Sequence, residues 1–207
     1  QNGEKISKTN ALRSTSAFIQ IIHKYRDSFV GNQNIPPERV AIFDEAQRSW
    51  THKRIADYLK RGGTYGNKLK VPNFPMSEAA FLIWSLDQRK DWATIVCLVG
   101  GGQEINTGEA GISEWIKALN EQFPHWNVYI SPKLTEPEYA EGRVNELLQN
   151  NPNVTYNDSL HLGVSLRSYR AEKLSAFVHS LLSFDANAAT LYNEIKDKYP
   201  IVLTRDM

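Results

Sequence analysis

The chain has very little cysteine: Cys97 is the only one in 207 residues, and it lies inside an apolar run. A lone thiol excludes an internal disulfide and fits a reducing compartment. No run approaches the roughly 18 apolar residues of a membrane span, and no signal peptide opens the chain, so a cytoplasmic setting without membrane contact is expected. Net charge is also scarce. Lys and Arg number 24 against 23 Asp and Glu, which leaves +1. That excludes a global basic field, so a nucleic-acid contact requires a local patch. There is no internal repeat. His161 and His179 show no metal-ligand spacing, and no Ser-His-Asp arrangement can be argued. What the chain does have is 41% apolar residues, enough for a core.

The stretch that organises the rest is Val40-Ala41-Ile42-Phe43-Asp44-Glu45-Ala46-Gln47-Arg48-Ser49-Trp50. Four apolar residues make a short buried strand, and two carboxylates follow at once. In an open α/β sheet, ligands sit at the carboxyl ends of strands. An acidic pair there is costly unless it meets a cation or water. The Walker B element of a P-loop NTPase meets that need. Its first acid, here Asp44, holds Mg²⁺, and its second, here Glu45, polarises the water that attacks ATP. The helicase form of the motif continues Asp-Glu-Ala-Gln, as Asp44 to Gln47 do, and makes Gln47 a coupling residue. The plainer alternative is a strand ending in a solvated turn.

Periodicity predicts a helix from residue 14 or 15 to 29, with Phe18, Ile21, Ile22, Tyr25 and Phe29 on one face. A loop with two prolines precedes the strand at 40–43, and a helix is expected over 49–61. Residues 62–75 read as an exposed loop. Lys53, Arg54, Lys60, Arg61, Lys68 and Lys70 make this region basic; a solvated surface is the favoured reading and a phosphate-backbone contact the alternative. Ser77 is a candidate N-cap for a helix to residue 89. The apolar run at 93–99 suits a parallel strand covered on both faces. A helix from Ser113 places Trp115, Ile116 and Leu119 inward, a strand is read at 126–130, a helix-like piece at 139–149, and a short strand at 154–156. Helices at 171–183 and 187–198 precede a final strand at 200–205. Alternating strands and helices argue for an α/β fold, a mainly parallel sheet with flanking helices. The five tryptophans read as core rather than as base-stacking platforms.

Three further stretches carry a resemblance. Gly100-Gly101-Gly102-Gln103 ends the second strand as motif III of superfamily 1 helicases does, without that motif's Asp and one residue shorter. Ser165-Leu166-Arg167-Ser168 resembles the Asn-Tyr-Arg-Ser core of motif IV, and Ile201-Val202-Leu203-Thr204-Arg205 resembles the opening strand of a second RecA-like domain. With Gln103-Glu104-Ile105, Gly108-Glu109-Ala110-Gly111-Ile112 and Glu114-Trp115, the set is similar to a bacterial domain-of-unknown-function family grouped with the Schlafen group 3 DNA/RNA helicase domains. The resemblance runs from about Phe18 to Met207. It implies a RecA-like P-loop NTPase with Mg²⁺ and ATP. Glu45 is then the general base, Gln103 a γ-phosphate sensor and Arg167 an arginine finger, with Arg170 the competing arginine. Glu109 and Glu114 carry the motif without an assigned role.

The resemblance also implies a Walker A loop, and no Gly-x-x-x-x-Gly-Lys-Ser/Thr occurs in these residues. Gly62-Gly63-Thr64-Tyr65-Gly66-Asn67-Lys68 is Gly-rich but follows a helix and lacks the Lys-Ser/Thr pair. The chain is therefore expected to be a fragment: a partial first RecA-like domain at 1–170, and a helical junction with the first strand of a second domain at 171–207. Alone it is expected to fold, to self-associate through an exposed sheet edge, and neither to hydrolyse ATP nor to bind it tightly. The leading function is an ATP-dependent motor on DNA or RNA. A nucleotide-responsive switch or scaffold that unwinds nothing is the alternative. A metal-dependent nuclease built on Asp44 and Glu45 is a third, and it needs further carboxylates and a lysine nearby.

Overall fold

The computed structural model describes residues 7–9, 15, 19–31, 34–62, 70–100, 107–136, 139–162 and 172–201. The chain divides into two compact units, Gln1–Asp158 and Ser159–Met207.

In the first unit the order is α1 (Ile22–Phe29), β1 (Val40–Phe43), a 3-10 turn (Ala46–Arg48), α2 (His52–Lys60), α3 (Glu78–Asp87), β2 (Thr94–Cys97), α4 (Gly111–Glu121), β3 (Val128–Ile130), α5 (Val144–Leu148) and β4 (Val154–Tyr156). Strand β1 pairs with β2 in parallel, from Val40 opposite Thr94 to Phe43 opposite Cys97. Strand β3 pairs with β4 in parallel, from Val128 opposite Val154 to Ile130 opposite Tyr156. Parallel neighbours need a crossover, and helices lie between the partners in both pairs. The fold is thus α/β with parallel pairing, as the alternating pattern predicts. Among the described residues the strands form two two-stranded sheets.

Helix α3 is the centre of the unit. Glu78 to Ile83, Ser85 and Leu86 are all buried along it. Its start is set by Ser77, whose side chain accepts a hydrogen bond from the Ala80 amide at 3.2 Å. Ala79, Leu82 and Ile83 join Phe43, Ile112, Trp115, Ile116, Ile130 and Val144 in the main core. Phe81 points to a second cluster with Val30, Ile55, Leu59 and Phe74. Removing the cap frees a buried amide, so Ser77→Ala is expected to cost about 1 kcal/mol, read as a lower urea midpoint at unchanged slope. A loss under about 0.3 kcal/mol would show that the cap is redundant.

The structure departs from the sequence reading in three places. The helix expected from residue 14 or 15 to 29 is interrupted: Thr15 is helical, residues 19–21 are not, and α1 begins at Ile22 after the extended Ile21 (φ −70°, ψ 141°). The chain around it holds β-branched Ile19, Ile21 and Ile22, which lose rotamer freedom in a helix. The helix expected at 139–149 is a 3-10 turn over Ala140–Gly142 followed by α5, because Ala140, Glu141 and Gly142 all have positive φ. Among the described residues, β1 and β2 are covered on one face only. Phe43 is buried against the core while Val40, Ile42 and Val96 are 48%, 65% and 38% exposed. Four-residue strands obey period two, and in the described residues α3 and α4 cover only the face of Ala41, Phe43, Ile95 and Cys97. Desolvation on that face pushes the Cys97 thiol up to about 12, so it packs as a neutral side chain.

In the second unit α6 (Glu172–Leu182) packs against α7 (Ala188–Ile195). Phe177 and Ile195 are buried between them, the Phe177 and Tyr192 rings lie 5.6 Å apart, and Lys173 pairs with Glu194 at 2.6 Å. Among the described residues no helix is long and apolar enough to cross a membrane. The final strand falls almost wholly outside the described residues.

Candidate active site

The parallel register sets where the acidic pair emerges. The Leu98 amide donates to the Phe43 carbonyl at 2.9 Å, and the Ala46 amide donates to the Leu98 carbonyl at 3.0 Å. These bonds lock the exits of β1 and β2 together and leave only Asp44 and Glu45 in the turn between them. Glu45 has left-handed backbone angles, φ 54° and ψ 43°. For a residue with a Cβ that costs about 1–2 kcal/mol, so the surroundings must hold it. The Glu45 amide donates to Asp44 Oδ1 at 3.0 Å, and Trp115 Nε1 donates to the Ala46 carbonyl at 2.8 Å from the core.

The Glu45 carboxylate is itself gripped. Gln47 Nε2 donates to Glu45 Oε2 at 2.7 Å, and Arg48 Nε lies 3.4 Å from the same oxygen. Gln47 is buried, and its Oε1 accepts from the Gly100 amide at 3.4 Å. An amide side chain both donates and accepts. Here one amide links the second acid of the pair to the first glycine after β2. Asp44 is exposed beside them.

The same segment holds the chain on the far side of the glycine turn. The Ala110 amide donates to the Ser49 carbonyl at 2.8 Å, the Thr51 amide donates to the Gly108 carbonyl at 2.9 Å, and Trp50 bridges Glu109 in antiparallel fashion. Arg54 Nη1 donates to the Thr107 carbonyl at 3.4 Å while its guanidinium stacks on Trp50 at 4.3 Å. Gly108 has φ +90°, and a Cβ there would lie 2.7 Å from Arg54 Cδ, so glycine is required for this close approach. Gly100 is thus bonded to Gln47 and Thr107 to Arg54. Gln103 itself, and Arg167 and Arg170, lie outside the described residues.

Trp50 rests on a buried charge cluster that no sequence motif marks. Glu78 Oε2 accepts from the Trp50 amide at 2.8 Å, and the Glu78 amide donates to the Trp50 carbonyl at 3.0 Å. Glu78 Oε1 meets Arg26 Nη1 at 2.8 Å and His23 Nδ1 at 3.5 Å, with Glu78 and Arg26 fully buried. Arg26 also pairs with Asp27 at 2.8 Å and lies between the Trp50 and Tyr58 rings at 4.8 and 4.5 Å. The one usable sequence signal is Glu78 heading an otherwise apolar helix, where an acid in the first turn also suits the dipole.

Among the described residues no group of three or more His, Cys, Asp or Glu could hold a metal. This does not conflict with Mg²⁺, which keeps several waters and takes one or two carboxylates plus substrate phosphates. The exposed Asp44 carboxylate fits that role.

The family model described as Schlafen group 3, DNA/RNA helicase domain, matches residues 1–207. The chain belongs to this family. No curated protein and no solved structure matches it. At family level it is a helicase-like domain, and the family's description names DNA and RNA. The chain thus displays its Asp-Glu pair on a turn bonded to Gln47, Trp115 and the β2 exit.

Proposed function

We propose that this domain supplies the Walker B half of an ATP-hydrolysing, RecA-like helicase motor acting on DNA or RNA. The observation that supports it best is the Glu45 carboxylate held at the end of a parallel strand by Gln47, which reaches the Gly100 amide with its other atom. Asp44 would hold Mg²⁺, and the bound ion would supply charge neutralisation on the phosphates. Glu45 accepts the proton of the attacking water, and its oxygen is aimed by Gln47 and Arg48. Gln103 senses the γ-phosphate, and a shift there reaches Glu45 through Gly100 and Gln47. Arg167 acts as the arginine finger. Residues 1–170 form part of the first RecA-like domain, and 171–207 form the junction and the first strand of the second.

The test is steady-state ATP hydrolysis by the intact protein, with and without single-stranded DNA or RNA. Turnover that needs Mg²⁺ and rises about tenfold or more with nucleic acid supports the motor reading; ordinary turnover numbers lie at about 1–10³ per second. Hydrolysis that ignores nucleic acid points instead to a nucleotide-responsive switch. No hydrolysis in any condition rejects both catalytic roles.

A further inference from the structure

The exposed side of α2 is the most basic surface element among the described residues. Within residues 52–70 stand Lys53, Arg54, Lys60, Arg61, Lys68 and Lys70 against Asp57 alone, six cations to one acid, or +5. The whole chain is +1, so the remainder is −4. Helical spacing puts the charges of the helix itself together. Ile55 and Leu59 point into the core, and Lys53, Asp57, Lys60 and Arg61 fall on the opposite, exposed side. The Val71 amide donates to the Leu59 carbonyl at 3.1 Å, which brings the exposed Lys70 to the end of the same helix.

Elsewhere Arg26, Arg39, Arg48, Lys133, Arg143 and Lys173 each pair with a carboxylate. Among the described residues Lys53, Lys60, Arg61 and Lys70 sit in no such pair; Lys24, Lys90, Lys117, Lys196 and Lys198 do not either, and what sets the first four apart is their grouping on and beside one helix. Arg61 spends its Nε on the Asp57 carbonyl at 3.1 Å. Four unpaired cations against the single Asp57 suit a partner that brings its own line of negative charge.

The helix is also tied to the candidate active site. It begins directly after Trp50, and its Arg54 reaches the Thr107 carbonyl and stacks on Trp50. A load on α2 therefore falls on the segment at Thr107 and Gly108.

Resting on the helicase-like reading above, we propose that Lys53, Lys60, Arg61 and Lys70 hold the phosphate backbone of a nucleic-acid strand, and that Arg54 transmits its occupation to the Thr107–Gly108 segment. Contacts to backbone phosphates are sequence-independent and release counterions.

The experiment is fluorescence anisotropy of the intact protein with a labelled oligothymidylate of roughly 20 nucleotides, longer than the site of a single-strand groove, titrated between about 50 and 200 mM salt. Two triple variants are compared: Lys53→Gln/Lys60→Gln/Arg61→Gln, and Lys117→Gln/Lys196→Gln/Lys198→Gln, which removes the same charge from exposed sites elsewhere. The first is expected to bind at least about tenfold more weakly and to flatten the log–log salt slope by about 2, since each lost single-strand contact removes about 0.7. The control should stay within about twofold of wild type. Unstimulated ATP hydrolysis should be equal in all three proteins. If both triple variants weaken alike, or the first keeps the wild-type slope, the surface is not the contact and the motor reading stands untouched. Wild-type protein that hydrolyses ATP but binds no oligonucleotide overturns the surface proposal alone; absence of both activities overturns the motor reading with it.

Discussion

Replacing Glu45 by glutamine is expected to stop ATP turnover in the intact protein while leaving ATP binding within about threefold of wild type, because losing a general base costs ~10²–10⁴-fold in rate. The substitution is nearly isosteric, and a glutamine oxygen still accepts from Gln47 Nε2, which donates to Glu45 at 2.7 Å. The turn keeps its bonds to Leu98 and Trp115, so a lost rate is chemical and not a matter of folding. What glutamine cannot do is take a proton. Binding rests on phosphate contacts that Glu45 does not make, which predicts a fall in kcat with little change in KM. Single-turnover ATP hydrolysis with nucleotide binding measured in parallel separates the two. A variant that turns over within about threefold of wild type would remove Glu45 from the chemistry.

What could be read without the structure follows from how local each cause is. Strand β1 was legible because four apolar residues meet two acids at a sharp edge, and α3 because Ser77 caps it in sequence as in space. Thr51, two residues later than the expected start of its helix, accepts from the Arg54 amide at 3.4 Å and caps α2 by the same local chemistry. The left-handed turn at Glu45 was not legible. Glutamate does not favour that conformation, and the bonds that impose it come from Leu98, Trp115 and Asp44. Gln47 was readable as a residue type, but its partner Gly100 lies 53 residues further along the chain. The buried pair of Arg26 and Glu78 is 52 residues apart. Charged residues are almost never fully buried unless paired, so each alone reads as surface.

That buried pair leads to the largest expected effect on stability. Glu78→Ala is expected to lower the unfolding free energy by about 3–5 kcal/mol, the usual result of stranding one partner of a buried ion pair. Glu78 and Arg26 are both fully buried, and the Glu78 carboxylate is the acceptor for Arg26 Nη1 on one oxygen and for the Trp50 amide on the other. Alanine leaves the guanidinium with Asp27 and the faces of Trp50 and Tyr58. It also leaves the Trp50 amide unpaired, at about 1–3 kcal/mol. These losses share one site and do not add in full. Against a total stability of about 5–15 kcal/mol the change is large, and urea unfolding of wild type and variant measures it directly. Arg26→Met/Glu78→Leu tells charge from packing. Apolar replacement of a whole buried pair is often neutral, but Asp27, 6% exposed, then keeps only the Tyr58 hydroxyl, so the double variant should recover part of the loss. It should not recover the Trp50 anchor, because leucine offers that amide no acceptor. Faster hydrogen exchange at the Trp50, Thr51 and Ala110 amides in a stably folded double variant would show that the buried pair positions the segment beside the acidic turn. Equal exchange would confine the pair to stability, and a Glu78→Ala loss below about 1 kcal/mol would show that Asp27 alone neutralises Arg26.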